Sequence, residues 1–428
     1  MSRRALLALD LGTTGVRAVA VGDDGRTLAQ AWRPVASRFP RPGWLEQDPA
    51  AWWSASRALL AEVAAAAALG ARDVAGIGVV TQRATAVAWD AATGEPLAPA
   101  IGWQDARTEP RVRELVARGL PVSTMTSATK LAWFLAHAPA VRDAARAGRL
   151  RLGTPDAYLA ARLTGGAVFA TDPSQASCTG LYDLRRGGWS EPALALFELE
   201  PAWLPALVPT SALAGETDAA LLGAPVPVAA RAGDQQAATF AQGAHAPGEA
   251  KLTLGTSAML DLHTGAAPAR FSAGAYPLAL WELADGARAF CLEGTVVTAG
   301  AVVEWLVELR LLASPAALEP LLAATPSCEG VVFVPALQGL GTPFLESNAR
   351  ASLFGVTRGT TAAHVVRAAL EGVAQRCADV CEALPLAPGP LRVDGGLARS
   401  DAFVALLADA TGRAVLRAAE AETTALGA

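Results

Sequence analysis

The chain has 428 residues, with 35 Lys and Arg against 40 Asp and Glu, and a formal net charge of −5. So thin an acidic excess argues against a nucleic-acid partner, because binding a phosphate backbone calls for a basic face. At 52% hydrophobic and 18% charged residues it is apolar, yet no uncharged run reaches the roughly 18 to 20 residues that span a bilayer, and Asp10 interrupts the apolar opening before a signal-peptide core could form; the expectation is a cytoplasmic protein with no membrane partner.

Residues 5–9 read as a strand, Gly12-Thr13-Thr14-Gly15 as a turn, and Val16 to Val21 as a second strand ending at Asp23-Asp24-Gly25. Asp48 is a natural N-cap and Pro49 suits the first helical position, so a helix is expected through Ala51 to Leu69, stopped by Gly70. Strands are then expected at 74–80 and 85–89, a helix at 130–137, and a strand at 226–230. Pro227 suggests that this last strand lies at a sheet edge and runs into Gly233-Asp234-Gln235-Gln236. At 250–262 the opening theme returns, with Gly255-Thr256-Ser257 turning between two apolar strands. A strand at 391–393, the turn Asp394-Gly395-Gly396 and a helical segment at 402–407 close the series. The pattern is α/β with two related halves, divided near residue 240 into domains 1–240 and 241–428.

Only two lysines occur, Lys130 and Lys251, each followed by Leu, so a Walker A loop is impossible, and no complete G-x-G-x-x-G is present. Five cysteines without C-x-x-C predict free thiols, and four scattered histidines without H-E-x-x-H make an imidazole metal site a poor expectation. Phosphate chemistry is better served by Asp10-Leu11-Gly12-Thr13-Thr14, where glycine admits a close anion, the threonine hydroxyls donate to it and Asp10 can hold hydrated magnesium. Alone, that segment reads equally as a plain turn. The second hairpin at Gly255-Thr256 favours a two-sided clamp on a triphosphate. Asp394-Gly395-Gly396 and Ala299-Gly300-Ala301 would let a ring or ribose approach, although a βα turn and close helix packing explain them as well.

These segments, with Gly43-Trp44-Leu45-Glu46-Gln47-Asp48-Pro49, Thr81-Gln82-Arg83, Trp103-Gln104-Asp105, Gly339-Leu340-Gly341-Thr342-Pro343 and Phe354-Gly355-Val356-Thr357-Arg358-Gly359, resemble the FGGY carbohydrate kinases, most closely the glycerol kinases, over nearly the whole chain. The resemblance implies two actin-like (ribonuclease H-like) domains with mixed β-sheets flanked by helices, closing on ATP, Mg2+ and a small polyol or sugar in the cleft between them. It implies Asp234 as catalytic base, and Arg83, Trp103, Asp234 and Gln235 around the substrate. It places Thr13, Thr14, Arg17, Thr256, Gly300, Gly396 and Ser400 on the nucleotide and Asp10 on the metal. A homo-oligomer is left open.

Several positions depart from the glycerol kinase pattern. Ala84 stands where those enzymes carry a substrate-binding glutamate, and Met125 and Met259 replace aromatic pocket walls. On the nucleotide side Glu304 replaces a glutamine and Ser400 an asparagine, and the sequence reaches Ala428 where relatives open a further helix. The expected activity is phosphorylation of a hydroxyl of a small polyol or sugar, with Ala84 arguing against glycerol itself. The alternatives are a pentulose or tetritol kinase, and a degenerate actin-like ATPase or sensor that has lost sugar kinase activity.

Overall fold

The computed structural model describes residues 4–418 and 423–428; the first residues of the opening considered for a signal peptide lie outside that set. The chain forms two compact units. The first takes the chain up to Ala238 together with Ala279–Arg288 and Thr424–Ala428, and the second holds Thr239–Leu278 and Ala289–Thr423.

In the first unit, β1 (Ala5–Leu11), β2 (Gly15–Gly22) and β3 (Thr27–Pro34) form an antiparallel meander. Helix α1 (Pro49–Ala66) comes next, its first turn capped by Asp48, whose Oδ1 accepts the Ala50 N–H at 2.9 Å. Then come β4 (Val74–Thr81), the short β5 (Gly215–Glu216) and β6 (Pro227–Gly233), giving the sheet order β5-β6-β4-β1-β2-β3. Period-two alternation sends Leu7, Leu9 and Leu11 of β1 into a core with Trp52, Leu59 and Val63 of α1. Ala8 and Asp10 therefore face the other side, where Ala8 packs with Val19 and Ala425. The expected edge position of Pro227 is corrected: β6 lies between β5 and β4, and its proline is tolerated because it is the first residue of the strand. The strand expected at 85–89 is also shorter and later, Val87–Asp90.

A satellite core within this unit gathers α2 (Ser127–His137), whose Ala128, Leu131 and Phe134 are buried against Ala86, Ile101 and Leu115. Helix α3 (Pro173–Ser177) begins at Asp172, and α4 (Asp234–Ala241) starts directly from β6 and carries the chain from the first unit into the second.

A second six-stranded sheet repeats the plan. Strands β7 (Ala250–Leu254), β8 (Ala258–Gly265), β9 (Tyr276–Glu282), β10 (Arg288–Val296), β11 (Leu391–Asp394) and β12 (Val415–Arg417) lie in the order β9-β10-β8-β7-β11-β12. Here neighbours β7, β8 and β10 pair antiparallel while β7, β11 and β12 pair parallel, just as in the first sheet β1, β2 and β3 pair antiparallel and β1, β4 and β6 parallel. Its core packs Leu252, Leu260 and Leu292 against α5 (Gly300–Glu308), α6 (Ala362–Ala383) and α7 (Asp401–Thr411). Among the described residues no helix is long and apolar enough to cross a membrane, and no disulfide joins any of the five cysteines.

Gly395 shows how tightly the turn after β11 sits on β7. Its φ is +91°, and a Cβ there would lie 2.5 Å from the Leu254 carbonyl oxygen. Gly412 ends α7 at φ +62° with nothing within 4 Å of its absent side chain. Gly395→Ala is expected to lower stability by about 2–5 kcal/mol, the sum of a left-handed penalty and overpacking, and Gly412→Ala by about 1 kcal/mol. Urea unfolding monitored by circular dichroism checks the order, and equal midpoints for the two variants would refute the close approach.

Candidate active site

Strand register assembles the site. Leu11 of β1 pairs with Thr81 of β4 in parallel, and Gly233 of β6 pairs with the same Thr81, so the three strands end on one line. The turns that leave these strands therefore share one edge of the sheet: Gly12 to Thr14 after β1, Gln82 to Ala84 after β4, and Asp234 with Gln235 after β6. Carboxyl ends of parallel strands are where open α/β sheets bind ligands.

Buried amides brace the hairpin. The Gly12 N–H donates to Gly15 O at 2.9 Å, Gln47 Nε2 donates to Thr13 O at 2.7 Å, and Gln82 Nε2 donates to Gln47 Oε1 at 2.7 Å. The Trp103 indole Nε1 donates to Thr13 Oγ1 at 2.9 Å. Thr14 is exposed beyond this braced turn, while Arg17, opposite Asp10 in the β1–β2 register, is half-buried. Arg83 Nε lies 3.4 Å from Asp234 Oδ1, and the same oxygen accepts the Gln235 N–H at 2.8 Å. The Asp234 side chain keeps 27% exposure against 10% for Arg83, so the acid can still meet a substrate while its partner is largely sheathed.

Two supports escape the sequence reading. One is the segment around α3. Asp172 accepts from Ser174 N and Oγ, from Gln175 N, and from Thr210 Oγ1 at 2.7 Å, fixing the helix start. Ser174 Oγ then accepts the Gly233 N–H at 2.8 Å, Gln175 Nε2 donates to Thr81 O at 2.9 Å, and Arg83 Nη1 donates to Cys178 Sγ at 3.6 Å. One short helix thus holds the ends of β4 and β6 and the arginine between them. Its sequence signal is Asp172-Pro173, an N-cap with proline at the first helical position.

The other is Lys130, wholly buried on α2, whose ammonium donates to the carbonyls of Ala84 at 2.9 Å and Trp103 at 3.3 Å. Burial pulls its pKa down to about 7, with Asp105 pulling it back up. Ala84 has φ +59°, a left-handed conformation unusual for a residue with a side chain, and its carbonyl is the one Lys130 holds.

In the second unit the start of α5 docks on the other hairpin. Gly300 N–H donates to Gly255 O at 2.9 Å, and the N–H groups of Ala299 and Ala301 donate to Thr256 O at 3.0 and 3.1 Å. A Cβ at Gly300 would come within 2.6 Å of Gly255 O, which explains the glycine without recourse to a ligand. Thr256 is exposed, and Gly396 has open space where a side chain would be. Ser400 caps α7: its Oγ accepts the Phe403 N–H at 3.1 Å and donates to Glu319 Oε2 at 2.6 Å. Thr256 and Gly300 thus come together, while Ser400 is occupied as a helix cap. Of the substituted positions, Met259 is buried with the Thr295 hydroxyl 3.3 Å from its sulfur, Met125 is half-buried in the first unit, and Glu304 is exposed.

The model of the N-terminal domain of the FGGY family of carbohydrate kinases matches residues 5–241, and that of the C-terminal domain matches 250–428. The chain belongs to the FGGY family of carbohydrate kinases. A glycerol kinase of Aromatoleum aromaticum is 44% identical over 440 residues, covering 99% of this chain and 88% of its own. One of Methylibium petroleiphilum is 42% identical, covering 99% and 89%. Among solved structures, Plasmodium falciparum glycerol kinase with ADP superposes with a TM-score of 0.91 at 27% identity, covering 99% of this chain and 88% of that one. A xylulose kinase of Rhodospirillum rubrum gives 0.85 at 29% identity with the same coverage. The two units have the actin-like, ribonuclease H-like fold of these kinases, and the protein is an ATP-dependent carbohydrate kinase.

In this FGGY kinase the electrostatics centre on Asp10. Burial, and then the nearby carboxylate of Asp234, push its carboxyl up to about 7, with Arg17 pulling the other way. Because the folded value lies above that of the unfolded chain, the stability this group contributes is complete below about pH 4 and is lost as pH rises to about 7. Over that interval the ligand-free wild type is expected to lose on the order of 3 kcal/mol relative to Asp10→Asn. Thermal melts of both proteins from pH 4 to 8 measure it, and parallel curves would contradict the coupling.

Proposed function

We propose that this kinase transfers the γ-phosphoryl group of ATP to a terminal hydroxyl of a short polyol of the glycerol class. The observation that carries the reading is the pairing of Arg83 with a partly exposed Asp234 at the strand edge shared with Asp10 and the Thr13 hairpin. The Arg83 guanidinium lies beside the Asp234 carboxylate, and a carboxylate is the form that accepts a proton. As the substrate O–H gives its proton to Asp234, its oxygen attacks the γ-phosphorus, the bond to the β-phosphate oxygen breaks and ADP departs. Arg83, Gln235 and the face of Trp103 orient the polyol, matching the demand of such a ligand for a few placed polar groups and an aromatic wall.

Thr13, Thr14 and Arg17 would meet the phosphates, with Thr256, Gly300, Gly396 and Ser400 on the nucleotide side. A magnesium ion fits Asp10, because a carboxyl whose proton affinity is raised by burial and a second acid gains most from a bound cation. When bound, it would neutralise charge on the transferring phosphate.

One observation favours a longer substrate. Ala84 is buried beside Arg83 and carries a methyl where a glutamate would bring a larger side chain and a group to bond a hydroxyl, which suits a tetritol or ketopentose. A methylene of added room changes discrimination by about 10–200-fold.

Two experiments test these readings. ADP release measured over glycerol, tetritols, pentitols and ketopentoses is expected to rise with at least one of them, and Asp234→Asn to cut that kcat by about 10²–10⁴-fold. ATP turnover indifferent to every compound would sink the polyol reading. Ala84→Glu is expected to move the ratio of kcat/KM for glycerol over a tetritol by at least about tenfold towards glycerol, and an unchanged ratio would show that position 84 does not set substrate length.

A further inference from the structure

The indole of Trp103 has two connections that an aromatic wall does not need. Its Nε1, which can only donate, bonds Thr13 Oγ1 at 2.9 Å, and its backbone carbonyl is held by Lys130 Nζ at 3.3 Å. A threonine hydroxyl has one hydrogen to give and lone pairs to receive with. With one lone pair committed to the indole, the Thr13 O–H has its direction restricted. The neighbouring acceptor in the turn, Thr13 O, is already engaged by Gln47 Nε2 at 2.7 Å. Among the described residues the Thr13 hydroxyl is seen only as an acceptor, and its own hydrogen can go to an anion at the hairpin. The other end of this series of contacts is equally fixed, since Lys130 is wholly buried and its second bond, at 2.9 Å, goes to Ala84 O in the loop that carries Arg83.

We infer that Trp103 is a positioning residue that couples polyol occupancy to phosphate binding, with Lys130 setting its backbone and Thr13 receiving its indole hydrogen bond. This rests on the polyol reading given above and adds to it a direction of communication. A polyol packed on the indole face restrains the ring, the ring fixes the Thr13 hydroxyl, and the hydroxyl meets the terminal phosphate in a defined orientation. With no polyol the ring is freer, the hydroxyl is less well aimed, and ATP is held less productively. The device favours phosphoryl transfer to the sugar over transfer to water.

The test is a coupling measurement on the full chain. Affinity for adenylyl imidodiphosphate with magnesium is measured by calorimetry with and without a saturating polyol chosen from the substrate panel. In the wild type the polyol is expected to tighten the nucleotide by about 5–150-fold, the usual span for coupled sites. Trp103→Phe keeps a ring but removes the N–H, and the ratio is expected to fall to within about twofold of one. Lys130→Met is expected to weaken polyol binding at least about tenfold while leaving nucleotide affinity without polyol within about twofold. Lys130→Arg, which keeps a buried cation and donors, is expected to recover part of that loss. A general loss of packing would shrink the folded fraction of a variant without moving these ratios. A wild-type coupling ratio in Trp103→Phe, or polyol binding with no coupling in the wild type, would overturn the inference. Should Lys130→Met fail to fold, Trp103→Phe and Lys130→Arg still decide it. A wild type that binds no polyol at all would instead refute the substrate reading, so the two failures are distinguishable.

Discussion

Three parallel strands that stop on one line are the constraint on which the rest of the site depends. Because Leu11, Thr81 and Gly233 share a register, the chain must turn three times at one edge, and each turn exposes backbone groups that need partners. The protein meets that need with buried side-chain amides: Gln47 and Gln82 for the first hairpin, Gln175 for the end of β4. These groups are neutral, so they fix the backbone without adding charge to a place where two acids already stand close. Charge is reserved for Asp10, Arg17, Arg83 and Asp234. The backbone of these turns is braced before any ligand arrives, which is what transition-state electrostatics require of it.

The cost of this arrangement is visible at two points. Asp10 and Asp234 repel each other across a poorly solvated edge, and the first of them holds its proton far above the ordinary carboxylate range. Ala84 occupies a left-handed conformation that costs about 1–2 kcal/mol for a residue with a side chain, and the buried Lys130 fastens its carbonyl. Both strains lie at the strand ends that carry the polar groups and not in the flanking cores, where alternation and helix packing are regular. Left-handed residues with side chains also occur elsewhere, at Ala68, Glu198, Ala273, Arg310, Glu329 and Leu345, so what sets Ala84 apart is its place beside Arg83 and the bond its carbonyl accepts from Lys130.

Much of this was legible in the sequence because local chemistry and final position agree. The strands around Gly12-Thr13 and Gly255-Thr256 could be read from their apolar runs, and the helix after Asp48 from its cap and proline, since these signals act within a few residues. The resemblance to a kinase family brought Arg83, Trp103 and Asp234 together, and the structure shows the physical link that unites Arg83 with Asp234. What could not be read was held by contacts distant in sequence. Ser174 supports Gly233 from 59 residues away and Gln175 supports Thr81 from 94, and nothing local marks those pairs. Pro227 misled for a related reason: a proline reports a missing donor, but only the sheet decides whether the neighbour needs it. Ser400 shows the reverse case, where a residue whose expected role was at the nucleotide also has a complete local explanation as a helix cap.

The uneven use of cations points the same way. Of 35 basic residues two are lysines, which leaves 33 arginines by subtraction, and both lysines are wholly buried. Arginine stays charged at any pH the protein meets and forks across carboxylates, whereas a buried ammonium is compact, titrates readily and suits backbone carbonyls or one acid. The division matches the positions. Arg83 and Arg107 pair with acids of the first unit, at 3.4 Å from Asp234 and 2.9 Å from Asp105, while Lys130 binds carbonyls and Lys251 lies 2.9 Å from Asp261 within the second sheet. Replacing Lys130 by arginine would preserve a positive charge but bring a planar fork to a pocket shaped for a single nitrogen. Each lysine is therefore a scaffold group whose place is set by geometry, while the charged groups at the strand ends are arginines and acids.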